Sequence, residues 1–164
     1  MKKVIKKLLR EGLMDGAITA YRCIDGEYDS NRNGIQYFAI NKEYASHFGD
    51  NCYKFKIDTT NANVLNLESW NKIYSEKTGT NGNMYNRQQG LFVVGEIAIS
   101  EGFSDQLELF GLECGDEMVS KFINEFNHCD IIYGEDAGER EKVFAIKDIR
   151  FVSLIGKTTD STVT

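Results

Sequence analysis

The 164-residue sequence contains no proline. Its turns must therefore be made by glycine and asparagine, whose backbones adopt the tight conformations that turns require. The two clearest turn segments are residues 31–34 (NRNG) and residues 79–83 (GTNGN). No segment has the composition of a linker between domains, so we expect one compact domain with a full hydrophobic core.

The chain is also poor in residues that bind transition metals. It has two histidines and four widely scattered cysteines, with no Cys-x-x-Cys pair: His47, His128, Cys23, Cys52, Cys114 and Cys129. This pattern argues against a zinc site, so we expect no bound metal. The sequence does not begin with a secretory signal peptide, and we therefore expect free thiols in a reducing cytoplasm.

Long apolar runs and an excess of positive charge are both missing. No run approaches the length that crosses a bilayer, which argues against a membrane protein. The net charge is −6 and the isoelectric point is near 5.0, whereas broad electrostatic binding of nucleic acid needs a basic surface. The sequence is 41% hydrophobic and 27% charged, which is typical of a soluble globular protein.

Hydrophobic periodicity predicts a mixture of strands and helices. The predicted strands are Ala17–Cys23, Ile35–Ala39, Asn51–Asp58, Asn63–Leu67, Asp130–Tyr133, residues 139–146 and residues 149–155. The predicted helices are a basic amphipathic one over Lys2–Met14, one that begins near Lys42, one capped by Ser69, Ser104–Leu112 and Asp116–His128. Thr78–Gln89 is polar and indicates a loop, whereas Gly90–Ser100 has both strand and helix character.

One stretch, Gly34–Phe48, combines a strand, a turn and a helix with two well-spaced aromatic residues. Ten residues separate Tyr37, at the strand, from Phe48, inside the following helix. This spacing allows two arrangements: the rings clamp a flat aromatic ligand between them, or they pack the joint between strand and helix.

The same stretch resembles the second motif of the ADP-ribosyltransferase fold. Toxins of the diphtheria class carry two tyrosines separated by ten residues, and poly(ADP-ribose) polymerases have a similar glycine-isoleucine-tyrosine-phenylalanine-alanine run before a helix. Here the run is Gly34–Ala39, and Phe48 stands where the second tyrosine would be. The resemblance implies that Tyr37 and Phe48 stack on the nicotinamide ring of NAD.

Two further segments resemble the first and third motifs of that fold. Tyr21 and Arg22 match an aromatic residue followed by a basic one, which implies that both contact NAD and that Arg22 binds its ribose or diphosphate. Glu139 and Glu141 have the Glu-x-Glu spacing of the arginine-modifying members. Because they are two residues apart on a strand, they share a face, and the repulsion between two close carboxylates raises the pKa of one of them.

This sequence can be aligned with the third motif in two registers. With the Glu-x-Glu alignment, the catalytic carboxylate is Glu141 or Glu139. An alignment based on Ile149 instead places Arg140 at the glutamate position.

The three motifs together resemble the ADP-ribosyltransferase superfamily, including its bacteriophage-encoded members. The implied fold is α+β, with two small antiparallel sheets packed together and flanked by helices. We expect this single domain to span residues 1–156, with the basic amphipathic helix in residues 1–15 and a flexible tail over residues 157–164.

The resemblance implies mono-ADP-ribosyltransferase activity, with NAD as the substrate and a protein, such as a host defence protein, as the acceptor. Glu141 would stabilise the oxocarbenium-like state, Glu139 would serve the acceptor, and Arg22 would complete the catalytic set. The alternative is an inactive member of the fold that acts as a binding or inhibitor protein, such as an anti-CRISPR. The acidic charge disfavours a third branch, the RNA 2′-phosphotransferases.

Overall fold

The computed structural model describes residues 16–29, 34–79, 110–136 and 141–158. In chain order the elements are β1 (Ala17–Ile24), β2 (Gln36–Ala39), α1 (Lys42–Ala45), a 3₁₀ turn (Ser46–Phe48), β3 (Asn51–Asp58), β4 (Val64–Asn66), α2 (Leu67–Thr78), α3 (Asp116–His128), β5 (Ile131–Asp136), β6 (Glu141–Ile146), a second 3₁₀ turn (Ile149–Phe151) and β7 (Val152–Lys157). Residues 110–114 are also helical.

The architecture is α+β, as the sequence predicts, but its sheet differs from the expected one. The seven strands form one sheet in the order β4-β5-β6-β2-β1-β3-β7. β4 and β5 are parallel, whereas the other neighbouring pairs are antiparallel. The expectation of two small antiparallel sheets is therefore wrong for the described strands. The reason is that Tyr21 on β1 pairs with Ala39 on β2, which joins the two halves into one ladder.

The alternation of β3 matches the prediction for Asn51–Asp58. Tyr53, Phe55 and Ile57 are buried, and this strand pairs with β1 along its whole length, from Ala17 opposite Asp58 to Ile24 opposite Asn51. A strand that buries every second side chain is fixed in register, because a shift by one residue would expose its whole apolar set.

Both faces of the sheet are buried, and each has its own core cluster. The first, which we call the helical face, packs against the helices, and its cluster includes Ala39, Tyr44, Trp70, Tyr74, Phe122, Val143 and Ala145. The second, which we call the opposite face, carries Ala20, Phe38, Phe55, Tyr133 and Phe144. Successive residues of a strand point to different faces, so this division assigns each strand residue to one surface.

The helix predicted to begin near Lys42 does begin there, whereas the predicted cap of the next helix is wrong. Asn41, at the predicted turn, accepts a hydrogen bond from the backbone N–H of Tyr44 and caps α1. The cap of α2 is Asn66, whose Oδ1 accepts from the N–H groups of Glu68 and Ser69, and Ser69 itself is not the cap. The helix begins earlier than predicted because β4 ends at Asn66 and the chain turns there directly.

The cysteines also depart from expectation. Cys23 and Cys52 form a disulfide, so the prediction of four free thiols is wrong for this pair. The two residues are 29 positions apart in sequence, but the register of β1 and β3 places them directly opposite each other. Cys114 and Cys129 are buried and form no disulfide.

Several other predicted segments can be placed. Asp116–His128 is a helix with the predicted bounds, and β7 extends through Lys157, one residue past the expected end of the domain. Thr158 then donates two hydrogen bonds to the carbonyl oxygen of Cys52. The predictions for Lys2–Met14, Gly90–Ser100, the polar loop beyond Gly79 and most of Ser104–Leu112 lie outside the described residues. Within the described ranges, no helix has the length and apolar character needed to span a membrane.

Candidate functional site

The three strands that carry the predicted motifs are neighbours in the sheet. Tyr21 and Arg22 lie on β1, Tyr37 lies on β2 and Glu141 begins β6, and the sheet order places these strands side by side as β6-β2-β1. β2 pairs with β6 from Gln36 opposite Ile146 to Ala39 opposite Val143. Segments more than 100 residues apart in sequence therefore meet at one place.

Tyr21, Tyr37 and Glu141 share the helical face. The two tyrosines are partly buried and pack against the core cluster of that face. Glu141 lies two residues before Val143, a member of the same cluster, so strand alternation places its carboxylate on the helical face. Its Oε1 accepts a hydrogen bond of 3.4 Å from Nδ2 of Asn41. Two aromatic rings and one carboxylate are thus available on this surface.

Arg22 belongs to the opposite face. Its Nη1 donates a 3.0 Å hydrogen bond to the backbone carbonyl of Tyr37, and its guanidinium carbon lies 5.9 Å from the ring centroid of the buried Phe38. Burial raises the pKa of Tyr28, which packs on the same face, and the positive charge of Arg22 partly offsets that effect. The sheet therefore lies between the guanidinium of Arg22 and the carboxylate of Glu141.

The separation of Tyr21 from Arg22 has a simple cause. They are consecutive residues of one strand, and consecutive side chains point to different faces. The sequence motif assigns both residues to one ligand, but in this sheet a ligand on the helical face contacts Tyr21 and not the guanidinium of Arg22.

Phe48 lies at the surface. It ends the 3₁₀ turn after α1, its side chain is 63% exposed, and its ring meets the ring of Tyr44 edge-on at 5.3 Å. Of the two rings in the packing alternative, Tyr37 packs against the core cluster, whereas Phe48 is largely exposed and contacts the edge of that core through Tyr44. Gly49 fixes the position of the turn, since a Cβ there would lie 2.3 Å from the carbonyl carbon of Ile24. The turn thus presents an aromatic ring to solvent from an anchored backbone.

Glu139 and Arg140 lie outside the described residues, so the Glu-x-Glu pair and its register stay predictions. In the part of the chain that the structure describes, no group of three or more His, Cys, Asp or Glu residues is arranged to hold a metal ion.

The sequence did not indicate one charged cluster that the fold assembles. The Nζ of Lys142 on β6 contacts the carboxylates of Glu68, in the first turn of α2, and Glu135 on β5. The ammonium also lies 6.0 Å from the ring centroid of Tyr133. These contacts connect three elements and neutralise a half-buried cation, which indicates a structural role. Lys142 and Glu135 face each other across two consecutive strands, but Glu68 comes from a distant part of the chain, so local sequence carries no sign of the complete cluster.

The comparisons with known proteins add little. No family model and no curated protein matches the sequence. A solved structure described as "Crystal structure of an anti-CRISPR protein" aligns with a TM-score of 0.43 and 14% identity, covering 89% of this chain and 98% of that chain. A likeness at this level carries no conclusion about fold or function.

Proposed function

We propose that this protein acts by binding another protein, as a domain related to ADP-ribosyltransferases that does not transfer ADP-ribose. The observation that carries the proposal is the position of Arg22 across the sheet from Glu141. The resemblance assigns the guanidinium of Arg22 and the carboxylate of Glu141 to one NAD molecule, which cannot contact both groups from one face of this sheet. A hydrogen bond to the carbonyl of Tyr37 and the ring of Phe38 instead hold the partly buried Arg22 against the opposite face of the sheet.

Phe48 supports a binding role. Aromatic residues are enriched among the side chains that dominate protein interfaces, and a side chain on a fixed backbone loses little entropy on binding. Phe48 has both properties, because its ring is largely exposed and its turn packs closely against Ile24. A partner with an apolar pocket would bury this ring. The inhibitor class that includes anti-CRISPR proteins is one such function and stays a prediction.

A second candidate is the NAD-dependent transferase, and the adjacency of β6, β2 and β1 favours it. In this candidate, Tyr21 and Tyr37 stack on the nicotinamide and Glu141 stabilises the developing positive charge. Arg22 then supports Tyr37 through its carbonyl group and does not touch NAD. The acceptor is a protein, as the resemblance implies.

Calorimetric titration with millimolar NAD, together with mass spectrometry of a bacterial lysate incubated with labelled NAD, separates the two candidates. The binding-protein proposal predicts neither saturable heat nor transferred label. Saturable binding, with label transfer that Glu141→Gln abolishes while the variant stays folded, would overturn it in favour of the transferase. In that case, Glu141→Gln should retain most of the NAD affinity, because it removes only the charge that matters during bond cleavage.

Affinity purification from the same lysate tests the role of Phe48. We expect Phe48→Ala to lose the captured protein, whereas Phe48→Tyr retains it because the tyrosine ring keeps the same contact surface. Both variants should melt like the parent protein, since substitutions at exposed positions usually change stability by less than about 0.5 kcal/mol. Equal capture by the parent protein and both variants would show that Phe48 does not contribute to the interface.

A further inference from the structure

The disulfide between Cys23 and Cys52 joins two strands that backbone hydrogen bonds already hold together. Eight successive residue pairs connect β1 and β3, from Ala17 opposite Asp58 to Ile24 opposite Asn51, and the cysteines are one of these pairs. Their Cα atoms are 4.0 Å apart. Because the backbone pairing holds the strands together, the two sulfur atoms stay within bonding reach of each other after the bond is broken.

The two cysteines pack beside the tyrosines of the candidate site. Cys23 follows Arg22 directly in β1 and belongs to the core cluster of the helical face, against which Cys52, Tyr21 and Tyr37 also pack. Two thiols need more room than one disulfide, and a close-packed interior responds to a small change in volume with a shift of its neighbours. Reduction should therefore move the tyrosine rings without breaking the ladder.

The other two cysteines, Cys114 and Cys129, are poorly placed to take part in thiol–disulfide exchange. Cys114 and Cys129 are buried, and burial raises the pKa of Cys129 to about 11. The thiolate is the reactive form, so Cys129 stays unreactive at neutral pH. Thiol–disulfide exchange is thereby confined to Cys23 and Cys52.

We propose that the Cys23–Cys52 bond is a reversible redox switch whose state sets the positions of Tyr21 and Tyr37, and that the fold does not require the bond. The partly exposed Cys52 is the point of attack, whereas Cys23 is buried. This inference requires neither NAD nor a partner protein. It also accounts for a disulfide in a protein expected in a reducing compartment, where such bonds are usually transient or act as sensors.

The exchange uses glutathione as its reductant. A glutathione thiolate attacks Sγ of Cys52, the bond to Cys23 breaks, and Cys23 leaves as a thiolate that takes up a proton. A second glutathione thiolate attacks the glutathione sulfur of the mixed disulfide, which releases the thiol of Cys52 and glutathione disulfide. The two glutathione molecules supply the two electrons that reduce the protein bond, and glutathione disulfide reverses the reaction.

The test is a redox titration of the full chain with ¹³C-labelled tyrosine. The protein is equilibrated in buffers of graded glutathione to glutathione disulfide ratio, alkylated to count thiols by mass spectrometry, and examined in parallel by two-dimensional NMR. We expect Cys23 and Cys52 to titrate together in one two-electron transition. The tyrosine signals of Tyr21 and Tyr37, assigned with Tyr→Phe variants, should shift in the same transition. The signal of Tyr133 on the opposite face should stay in place.

The double variant Cys23→Ser, Cys52→Ser is the control and should give the reduced-state tyrosine signals in every buffer. Three results would overturn the proposal. Collapse of the NMR dispersion on reduction would make the bond a requirement of the fold. Reduced cysteines at every ratio would mean that the bond does not form under these conditions. A reversible titration during which the tyrosine signals do not shift would show that the redox state of the disulfide does not affect the candidate site.

Discussion

At the scale of single residues, strand alternation decides which candidate side chains can act together. Tyr21, Tyr37 and Glu141 share one face, while Arg22 donates to the carbonyl of Tyr37 from the other side of the sheet. Arg22 therefore has a structural role of its own. A solvated arginine at the end of a strand contributes little to stability, whereas this guanidinium donates a hydrogen bond to a carbonyl group of the sheet.

Arg22→Ala should lower the free energy of unfolding by about 1–3 kcal/mol, because it removes a charge-assisted hydrogen bond and leaves the carbonyl of Tyr37 without that donor. Urea denaturation measures the change. Arg150→Ala is the matched control, since Arg150 pairs with Asp148 at 2.8 Å with its side chain 72% exposed, and such surface pairs contribute at most about 1 kcal/mol. Equal effects of the two substitutions would contradict a structural role for Arg22.

At the scale of secondary-structure elements, α2 depends on one buried cap. Asn66 ends β4, and its side chain accepts hydrogen bonds of 2.9 Å and 3.2 Å from the N–H groups of Glu68 and Ser69. The same residue thus terminates a strand and begins a helix. This sharp change of direction places Trp70 and Tyr74 on the helical face. There the ring of Trp70 packs against Phe122 of α3, and the ring of Tyr74 stacks on Phe110.

Asn66→Ala should destabilise the protein by about 1–2 kcal/mol, because two N–H groups at the start of α2 lose their acceptor. Ser69→Ala, at the cap position that the sequence predicts, should change stability by less than about 0.5 kcal/mol. Thermal melts of the two variants, followed by the fluorescence of Trp70, measure both effects. A larger loss for Ser69→Ala would restore the cap predicted from sequence.

At the scale of the whole molecule, the burial of acidic side chains makes stability depend on pH in the alkaline range, and the effect is largest for Cys129 and Tyr133. Burial raises the pKa of Cys129 from 9.0 to about 11, and it raises the pKa of Tyr133 from 10.0 to about 12. In the unfolded chain both groups lose their protons at their ordinary pKa values. The native state therefore holds more protons between about pH 9 and pH 12, and linkage requires stability to fall as the pH rises through this range.

We expect the free energy of unfolding to drop by on the order of 1–3 kcal/mol between about pH 9 and pH 11, measured by urea denaturation at each pH. Tyr133→Phe removes one of the groups whose pKa burial raises, so its stability should fall less steeply above about pH 10 while it matches the parent near neutrality. A parent protein whose stability rises or stays level over this range would contradict the burial of both groups.

The sequence by itself determined the elements whose pattern is local. The alternation of Asn51–Asp58 gave β3 with its observed bounds, and the helical period of Asp116–His128 gave α3. The helix predicted to begin near Lys42 does begin at that residue. These features follow from contacts within a few residues, which the order of side chains encodes directly. The α+β class is the one that the family resemblance implied.

Only the tertiary structure decided how distant strands pair. Joining β1 to β2 makes one sheet in place of two, pairing β1 with β3 bonds Cys23 to Cys52, and the fold brings Lys142 to Glu68. The sheet also assigns Arg22 and Glu141 to different faces. Long-range pairing depends on how both apolar faces are buried at once, and this is a property of the whole core that no single motif contains.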